Sequence, residues 1–109
     1  EATMTPGPSI TEGIGNSRIT ENLAGTEIDD SVQVTDQAMV DMCYTLLRND
    51  GWFFGSSSGI NLAAAVTIAE QLGPGHTIVT ILCDDGGKYQ SRLYNPDFLA
   101  EKDLHIPGV

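Results

Sequence analysis

The chain has 109 residues, 40% of them hydrophobic, and its 15 acidic and 5 basic residues give a net charge of −10. This length supports one small hydrophobic core, and the charge argues against a nucleic-acid or anionic-membrane surface, because neutralising phosphate needs Lys and Arg. No run reaches the roughly 18 apolar residues of a membrane span, and no signal peptide is expected.

The first 30 residues follow an irregular pattern in which glycine and proline recur. Within them, the triplet Gly13-Ile14-Gly15 either lets the backbone approach a ligand closely or simply forms a turn. Val32 and Val34 then alternate with polar residues, which predicts a short strand.

A helix is predicted next, with Thr35 or Asp36 as its N-cap and Gly51 just after its last turn. Its apolar face is formed by Ala38, Met39, Met42, Cys43, Leu46 and Leu47. Residues 52–55 predict a short buried strand, and a second helix is predicted over about residues 59–72. Residues 76–82 are the strongest strand candidate because they are rich in β-branched side chains. A short helix over about residues 95–102 closes the chain.

The order strand, helix, strand, helix, strand, loop, helix predicts an α/β fold with a largely parallel sheet. Right-handed crossovers would bring two loops together at one sheet edge: the serine loop (residues 55–59) and the aspartate loop (residues 83–87). Three strands make a thin sheet, so we expect the chain to be part of a larger α/β domain. Because it starts at Glu1, we expect a processed product, a domain or a fragment.

The serine loop joins an apolar run to an apolar helix. Free backbone N–H groups and the positive end of a helix dipole could hold an anion there. The alternative is that its serines only cap the helix. In the aspartate loop, the pair Asp84-Asp85 could attract a divalent cation, although acidic pairs in loops are usually solvated.

The cysteines and histidines predict no metal site, because Cys43, Cys83, His76 and His105 lack metal-ligand spacing. Both cysteines lie in apolar contexts, which favours buried thiols in a reducing, cytoplasmic compartment. The serine loop also lacks the Gly-x-Ser-x-Gly pattern of a nucleophile elbow.

Several segments, in order and at similar spacing, resemble the C-terminal part of cysteine synthases, which are pyridoxal-phosphate enzymes of fold type II related to cystathionine β-synthase. They are Ile10-Thr11-Glu12-Gly13-Ile14-Gly15, Gly55-Ser56-Ser57-Ser58-Gly59 and residues 76–96. The resemblance covers nearly the whole chain. It implies a two-domain enzyme, usually a homodimer, with the cofactor between the domains. This chain would be the C-terminal segment of the larger, mainly parallel-sheet domain.

The resemblance also implies roles for individual residues. The cofactor's ring side would be lined by Gly13, Ile14, Gly15 and Ser57. Ser58 would lie at the substrate pocket. Apart from the resemblance, Arg18 is one of only five basic residues and lies just past this glycine turn, so it is a candidate to bind the substrate carboxylate or contact a second subunit, with a surface role as the alternative.

Asp85 departs from the family pattern, which commonly places at this position a serine that hydrogen-bonds the pyridine nitrogen. A carboxylate there would favour the protonated ring, which is a stronger electron sink, and such electronic tuning is the protein's task around a cofactor. We hypothesise that Asp85 faces this nitrogen. The alternative is that it turns to solvent or caps the turn at Gly86-Gly87.

The resemblance further indicates what is missing. Fold type II enzymes carry the Schiff-base lysine and the phosphate-binding loop in their N-terminal part. The only lysines here are Lys88 and Lys102, and neither has the apolar setting that depresses a lysine pKa. We therefore expect no catalytic residue in this chain, no activity from it alone, and the N-terminal part of the same enzyme as its partner.

For the complete enzyme, the resemblance implies replacement of the β-substituent of an O-activated serine by a sulfur nucleophile. A cystathionine β-synthase-like or other β-eliminating activity is one alternative. A non-catalytic binding or assembly module that retains the half-fold is another.

Overall fold

The computed structural model describes residues 9–11 and 21–108, without the side chain of Leu23. Four α-helices occur in these ranges: α1 (Glu21–Ala24), α2 (Asp36–Asp50), α3 (Ser56–Leu72) and α4 (Pro96–Glu101). A single 3-10 turn, Gly87–Tyr89, precedes α4. None of these helices is long and apolar enough to cross a membrane.

Helix α2 begins and ends as the sequence predicts. The Thr35 hydroxyl accepts a hydrogen bond from the Ala38 amide at 3.1 Å, so Thr35 is the N-cap. Gly51 follows the last turn in the left-handed conformation, with φ of 70°, which glycine adopts without steric cost. Asp36 instead holds the segment 9–11, because its carboxylate accepts hydrogen bonds from the Ser9 hydroxyl and the Ile10 amide.

Helix α3 begins at Ser56, three residues before the predicted start. Gly55 is its N-cap and makes no side-chain capping bond, so the interpretation of the serines as simple helix caps is wrong. The three serines lie inside the first turn and are buried. Hydroxyls in a buried first turn can form hydrogen bonds with neighbouring segments, and the Ser58 hydroxyl does so with residues 83 and 84.

The core lies between α2 and the C-terminal segment. Met39, Val40 and Cys43 are fully buried on α2, and Leu93 and Leu99 are almost fully buried opposite them. The predicted apolar face of α2 is thus partly wrong. Its buried members are Met39 and Cys43, whereas Ala38, Met42, Leu46 and Leu47 are only half-buried. The buried face of α2 instead includes Val40 and Tyr44, which the sequence pattern did not assign to it.

The three predicted strand segments are not paired into a sheet within the described residues, where the only β-pairing is one antiparallel bridge between Phe54 and Asp85. A parallel sheet is therefore not observed in this part of the chain, and the one bridge has the opposite direction. A strand needs neighbours that accept and donate its backbone hydrogen bonds. Residues 76–82 lack such neighbours here and leave Val79 87% and Ile81 70% exposed.

Candidate functional site

The serine loop and the aspartate loop lie side by side, as the sequence predicts. The Gly55 amide donates to the Asp84 carbonyl oxygen at 3.0 Å, and the Gly86 amide donates to the Phe53 carbonyl oxygen at 2.9 Å. These two bonds flank the bridge between Phe54 and Asp85. The two loops therefore form one structural unit at the start of α3.

Ser58 ties the two loops together from within. Its hydroxyl oxygen accepts from the Cys83 amide at 2.9 Å, and the hydroxyl donates to the Asp84 carbonyl oxygen at 3.3 Å. The residue is fully buried, and Ser57 beside it is 7% exposed. Ser58 thus has a structural role in the described chain, and contacts of either serine with a ligand stay predictions.

The carboxylate of Asp84 is held by two neighbours in the sequence. Its Oδ2 atom accepts from the Tyr89 hydroxyl at 3.0 Å and lies 2.8 Å from the Lys88 ammonium nitrogen. The hydrogen bond from Lys88 is the main reason that the pKa of Asp84 lies below its usual value. Burial, followed by the bond to Asp84, raises the pKa of the Tyr89 hydroxyl. Asp84 is therefore a charged acceptor at neutral pH.

The other carboxylate oxygen of Asp84 lies against Gly55, the N-cap of α3. A Cβ atom at Gly55 would overlap Asp84 Oδ1 and the Tyr89 ring, and it would lie 3.0 Å from the Asp85 carbonyl oxygen. Helix N-termini carry unpaired N–H groups and a positive partial charge. The negative group beside this end of α3 is the chain's own carboxylate, which would repel a second anion at the same place.

Asp85 lies at the exposed tip of the aspartate loop. Its Oδ1 atom accepts a hydrogen bond from the Gly87 amide at 2.8 Å, so the carboxylate caps the turn in the described chain. A carboxylate has about four lone-pair positions, so this bond leaves capacity for a further donor. An exposed carboxylate on a fixed loop fits the protonated nitrogen of a pyridine ring, and that contact remains a prediction.

Lys88 does not have the setting of a Schiff-base lysine. Its side chain is 68% exposed and forms an ion pair with Asp84, whereas a nucleophilic lysine needs desolvation to lower its pKa. Lys88 is therefore a surface residue that pairs with Asp84, and the role of the two loops at a cofactor stays a prediction.

Four predicted site residues, Gly13, Ile14, Gly15 and Arg18, lie outside the described residues. The sequence reasoning missed the link between Asp84 and Tyr89, and it treated Asp84 as half of an acidic pair. No local signal predicted this link, because a spacing of four residues indicates an ion pair only within a helix, and Asp84 lies in a loop. Across residues 9–11 and 21–108, no group of three or more His, Cys, Asp or Glu side chains is arranged to hold a metal ion.

A groove of about 440 Å³ lies away from these loops, between α2 and α3. Its apolar lining includes Val34, Met42, Ala63 and Val66. Among the described residues, Asp41 is the one ionisable residue that lines it, so this lining offers surface for packing rather than groups for chemistry.

Comparison with known proteins adds an independent finding. A family model described as "Pyridoxal-phosphate dependent enzyme" matches residues 1–84. "Cysteine synthase 2" of Schizosaccharomyces pombe is 48% identical over 103 residues, which cover 93% of this chain and 26% of that protein. "Cysteine synthase" of Dictyostelium discoideum is 43% identical over 93% of this chain and 27% of its own length. "Cysteine synthase 1" of Neurospora crassa is 43% identical over 90% and 27%. The chain thus spans about a quarter of the length of these curated relatives.

Proposed function

The chain belongs to the pyridoxal-phosphate dependent enzyme family, and we propose that it is the C-terminal part of the larger domain of a cysteine synthase. The proposal is supported by identities of 43–48% to proteins named cysteine synthase, over nine-tenths of this chain. The juxtaposed serine and aspartate loops also support it, because the family's ring-side motifs fall on them.

The proposed reaction exchanges one substituent on the β-carbon of an amino acid. The oxygen-linked leaving group of an O-activated serine departs, and a sulfur nucleophile takes its place. Pyridoxal phosphate, when bound, supplies the electron sink that makes the departure feasible. This chain would contribute the ring side of the site through Asp85, Ser57 and the backbone of residues 13–15. Ser58 and Arg18 would lie toward the substrate.

Asp85 is the residue whose chemistry distinguishes this chain within the proposal. Its carboxylate would accept a hydrogen bond from the ring nitrogen and keep that nitrogen protonated, because a nearby negative charge favours the positive form. One observation supports this role: the Asp85 side chain is exposed, and the Gly87 amide holds its carboxylate in place next to the buried serine loop.

The rest of the proposed enzyme would complete the fold as well as the site. Residues 76–82 expose apolar side chains on both faces, which is typical of a strand buried on both sides of a parallel sheet. We assign the missing strands, the Schiff-base lysine and the phosphate-binding loop to an N-terminal part of the same protein, and the whole to a homodimer in the cytoplasm. The chain alone would be inactive.

The test uses the full-length protein that contains this sequence. A cysteine synthase should carry a visible absorption band from its lysine-bound cofactor and convert O-acetyl-L-serine and sulfide to cysteine and acetate. Homocysteine in place of sulfide tests the cystathionine β-synthase-like alternative. Release of pyruvate and ammonia without a nucleophile tests the eliminating alternative. A protein with no visible band and no turnover would be the non-catalytic module.

The role of Asp85 has a separate readout. In protein loaded with cofactor labelled with ¹⁵N in the ring, the nitrogen chemical shift reports whether that nitrogen is protonated. Asp85→Ser, which restores the family's residue, should move the shift toward that of the neutral ring. Asp97→Ser, at an exposed position of α4, is the matched control. Equal shifts in wild type and Asp85→Ser would remove Asp85 from the ring nitrogen.

A further inference from the structure

The position of Asp85 depends on its neighbour Asp84. We propose that Asp84 is a positioning residue, whose carboxylate fixes the aspartate loop against Gly55 and so sets where Asp85 meets the cofactor. This inference rests on the proposed function for its consequence at the cofactor. Its structural part rests on contacts within the described chain.

The first observation is that the carboxylate of Asp84 closes the loop on itself. Tyr89 is only 3% exposed, and its hydroxyl donates to Asp84 Oδ2 at 3.0 Å. The Tyr89 amide also donates to the Gly86 carbonyl oxygen at 3.0 Å. Tyr89 therefore holds the loop by side chain and backbone, on both sides of Asp85. Lys88 holds the same carboxylate from the solvent side at 2.8 Å.

The second observation is that the closed loop is pressed against a residue without a side chain. Asp84 Oδ1 and the Tyr89 ring occupy the space that a Cβ atom of Gly55 would need, and the Asp85 carbonyl oxygen lies 3.0 Å from that position. Backbone bonds from Gly55 and Gly86 then fix the loop on either side of Asp85. A shift of Asp85 would have to break these bonds or move the buried Tyr89 ring.

The third observation is an unsatisfied atom. Asp84 Oδ1 is buried and has no hydrogen-bond partner among the described residues, although 32% of the whole side chain is exposed. A buried acceptor without a partner opposes stability, and such an atom in a folded protein requires an explanation. A role in positioning explains why this atom is kept. The carboxylate lies against the N-terminus of α3 through Oδ1 and accepts the Tyr89 hydroxyl through Oδ2, and both contacts hold the aspartate loop in place.

The experiment compares four versions of the full-length protein: wild type, Asp84→Asn, Tyr89→Phe and Glu101→Gln. Asp84→Asn keeps the shape of the side chain and removes its charge. Tyr89→Phe removes only one hydroxyl, so it provides the test if Asp84→Asn fails to fold. Glu101→Gln makes the same acid-to-amide change at an exposed position of α4. Three kinds of measurement are made: hydrogen exchange at the Gly55 and Gly86 amides, the ring ¹⁵N shift of bound cofactor, and the turnover number and Michaelis constant with O-acetyl-L-serine and sulfide.

We expect Asp84→Asn and Tyr89→Phe to speed exchange at both amides roughly tenfold or more, with α2 unchanged. Both should also move the ring ¹⁵N shift in the direction that Asp85→Ser does. The turnover number should fall more than the Michaelis constant rises, by roughly 10- to 100-fold, which misplacement of a reacting group by about 1 Å can produce. Glu101→Gln should match wild type in every measurement.

Two results would overturn the inference. Unchanged exchange at Gly55 and Gly86 would mean that Asp84 does not hold the loop, whether or not cofactor binds. Faster exchange with an unchanged ring ¹⁵N shift would mean that the loop moves without consequence for the cofactor. A protein that binds no cofactor refutes the proposed function and the consequence at the ring together. Amide exchange alone then decides the structural part of the inference.

Discussion

Replacing Gly59 with alanine tests how closely α2 and α3 approach each other. The added Cβ atom would overlap the sulfur of Cys43 and lie 3.3 Å from Met39 Cγ. Both neighbours are fully buried, so neither can rotate into solvent to make room. Intrinsic helix preference predicts the opposite sign, because alanine is favoured over glycine inside a helix by about 0.5–1 kcal/mol.

The cost of overpacking should exceed the gain in helix preference. Inserting a methyl group into a filled core typically costs about 1–3 kcal/mol. Overlap with the buried Cys43 sulfur puts this site in the upper half of that range, about 2–3 kcal/mol. Subtracting the gain in helix preference leaves a net loss of about 1–2 kcal/mol, or a factor of roughly 5–30 in the folded-to-open ratio. The loss should be local to the contact between α2 and α3.

Thiol labelling of Cys43 in the full-length protein measures this ratio directly. Burial raises the pKa of Cys43 to about 11, and the side chain has no exposure, so reagent reaches it only when the helices separate. Peptide mass spectrometry resolves Cys43 from Cys83. We expect labelling roughly 5–30 times faster in Gly59→Ala, and no change in Glu70→Ala, which substitutes an exposed position of α3. Slower or unchanged labelling in Gly59→Ala would refute the packing argument.

Three further changes have expected outcomes. Ser58→Ala should lower the free energy of unfolding in urea by about 1–3 kcal/mol, because it leaves the Cys83 amide without an acceptor. Ser57→Ala should cost less, because the described residues show no hydrogen bond to the Ser57 side chain. Equal losses in the two variants would contradict this reasoning. Burial raises the pKa of Cys43 on folding from 9.0 to about 11, so the stability that the neutral thiol contributes is complete below pH 9 and is lost, by about 3 kcal/mol at most, as the pH rises to 11. Urea midpoints measured from pH 8 to 11 should show this fall, and Cys43→Ser should show a smaller fall between pH 9 and 11. Tyr94→Phe removes a hydroxyl that donates to a backbone carbonyl at 2.5 Å and should lower stability by about 1 kcal/mol; an unchanged urea midpoint would count against that bond.

The helices were predictable because their signals are local. Thr35 marks the start of α2 and Gly51 marks its end, because each caps the helix through backbone groups about one turn away. Asn95 likewise caps α4 through the amides of Asp97 and Phe98, close to the predicted start. The juxtaposition of the serine and aspartate loops was also predicted, but from a parallel sheet that the described residues do not form. One antiparallel bridge and two flanking backbone bonds join the loops instead.

The failures have a common cause, which is that they depend on partners distant in the chain. Residues 76–82 have strand composition, but a strand exists only when neighbours accept its hydrogen bonds, and the described residues supply none. The serines looked like caps because capping is their usual local role. The bonds from Ser58 to residues 83 and 84 span 25 and 26 positions, and no local pattern contains them.

The exposed segment 76–82 has a consequence for handling this protein. Seven residues with high β-propensity, no charge and no proline form a template for self-association when their backbone is unpaired. Asp84 and Asp85 follow the segment after one intervening residue, Cys83. Flanking charges of this kind act as gatekeepers that oppose aggregation. Variants that neutralise both aspartates to alter the chemistry would also remove that protection, so they should be expressed at low temperature and checked for aggregates before any rate is interpreted.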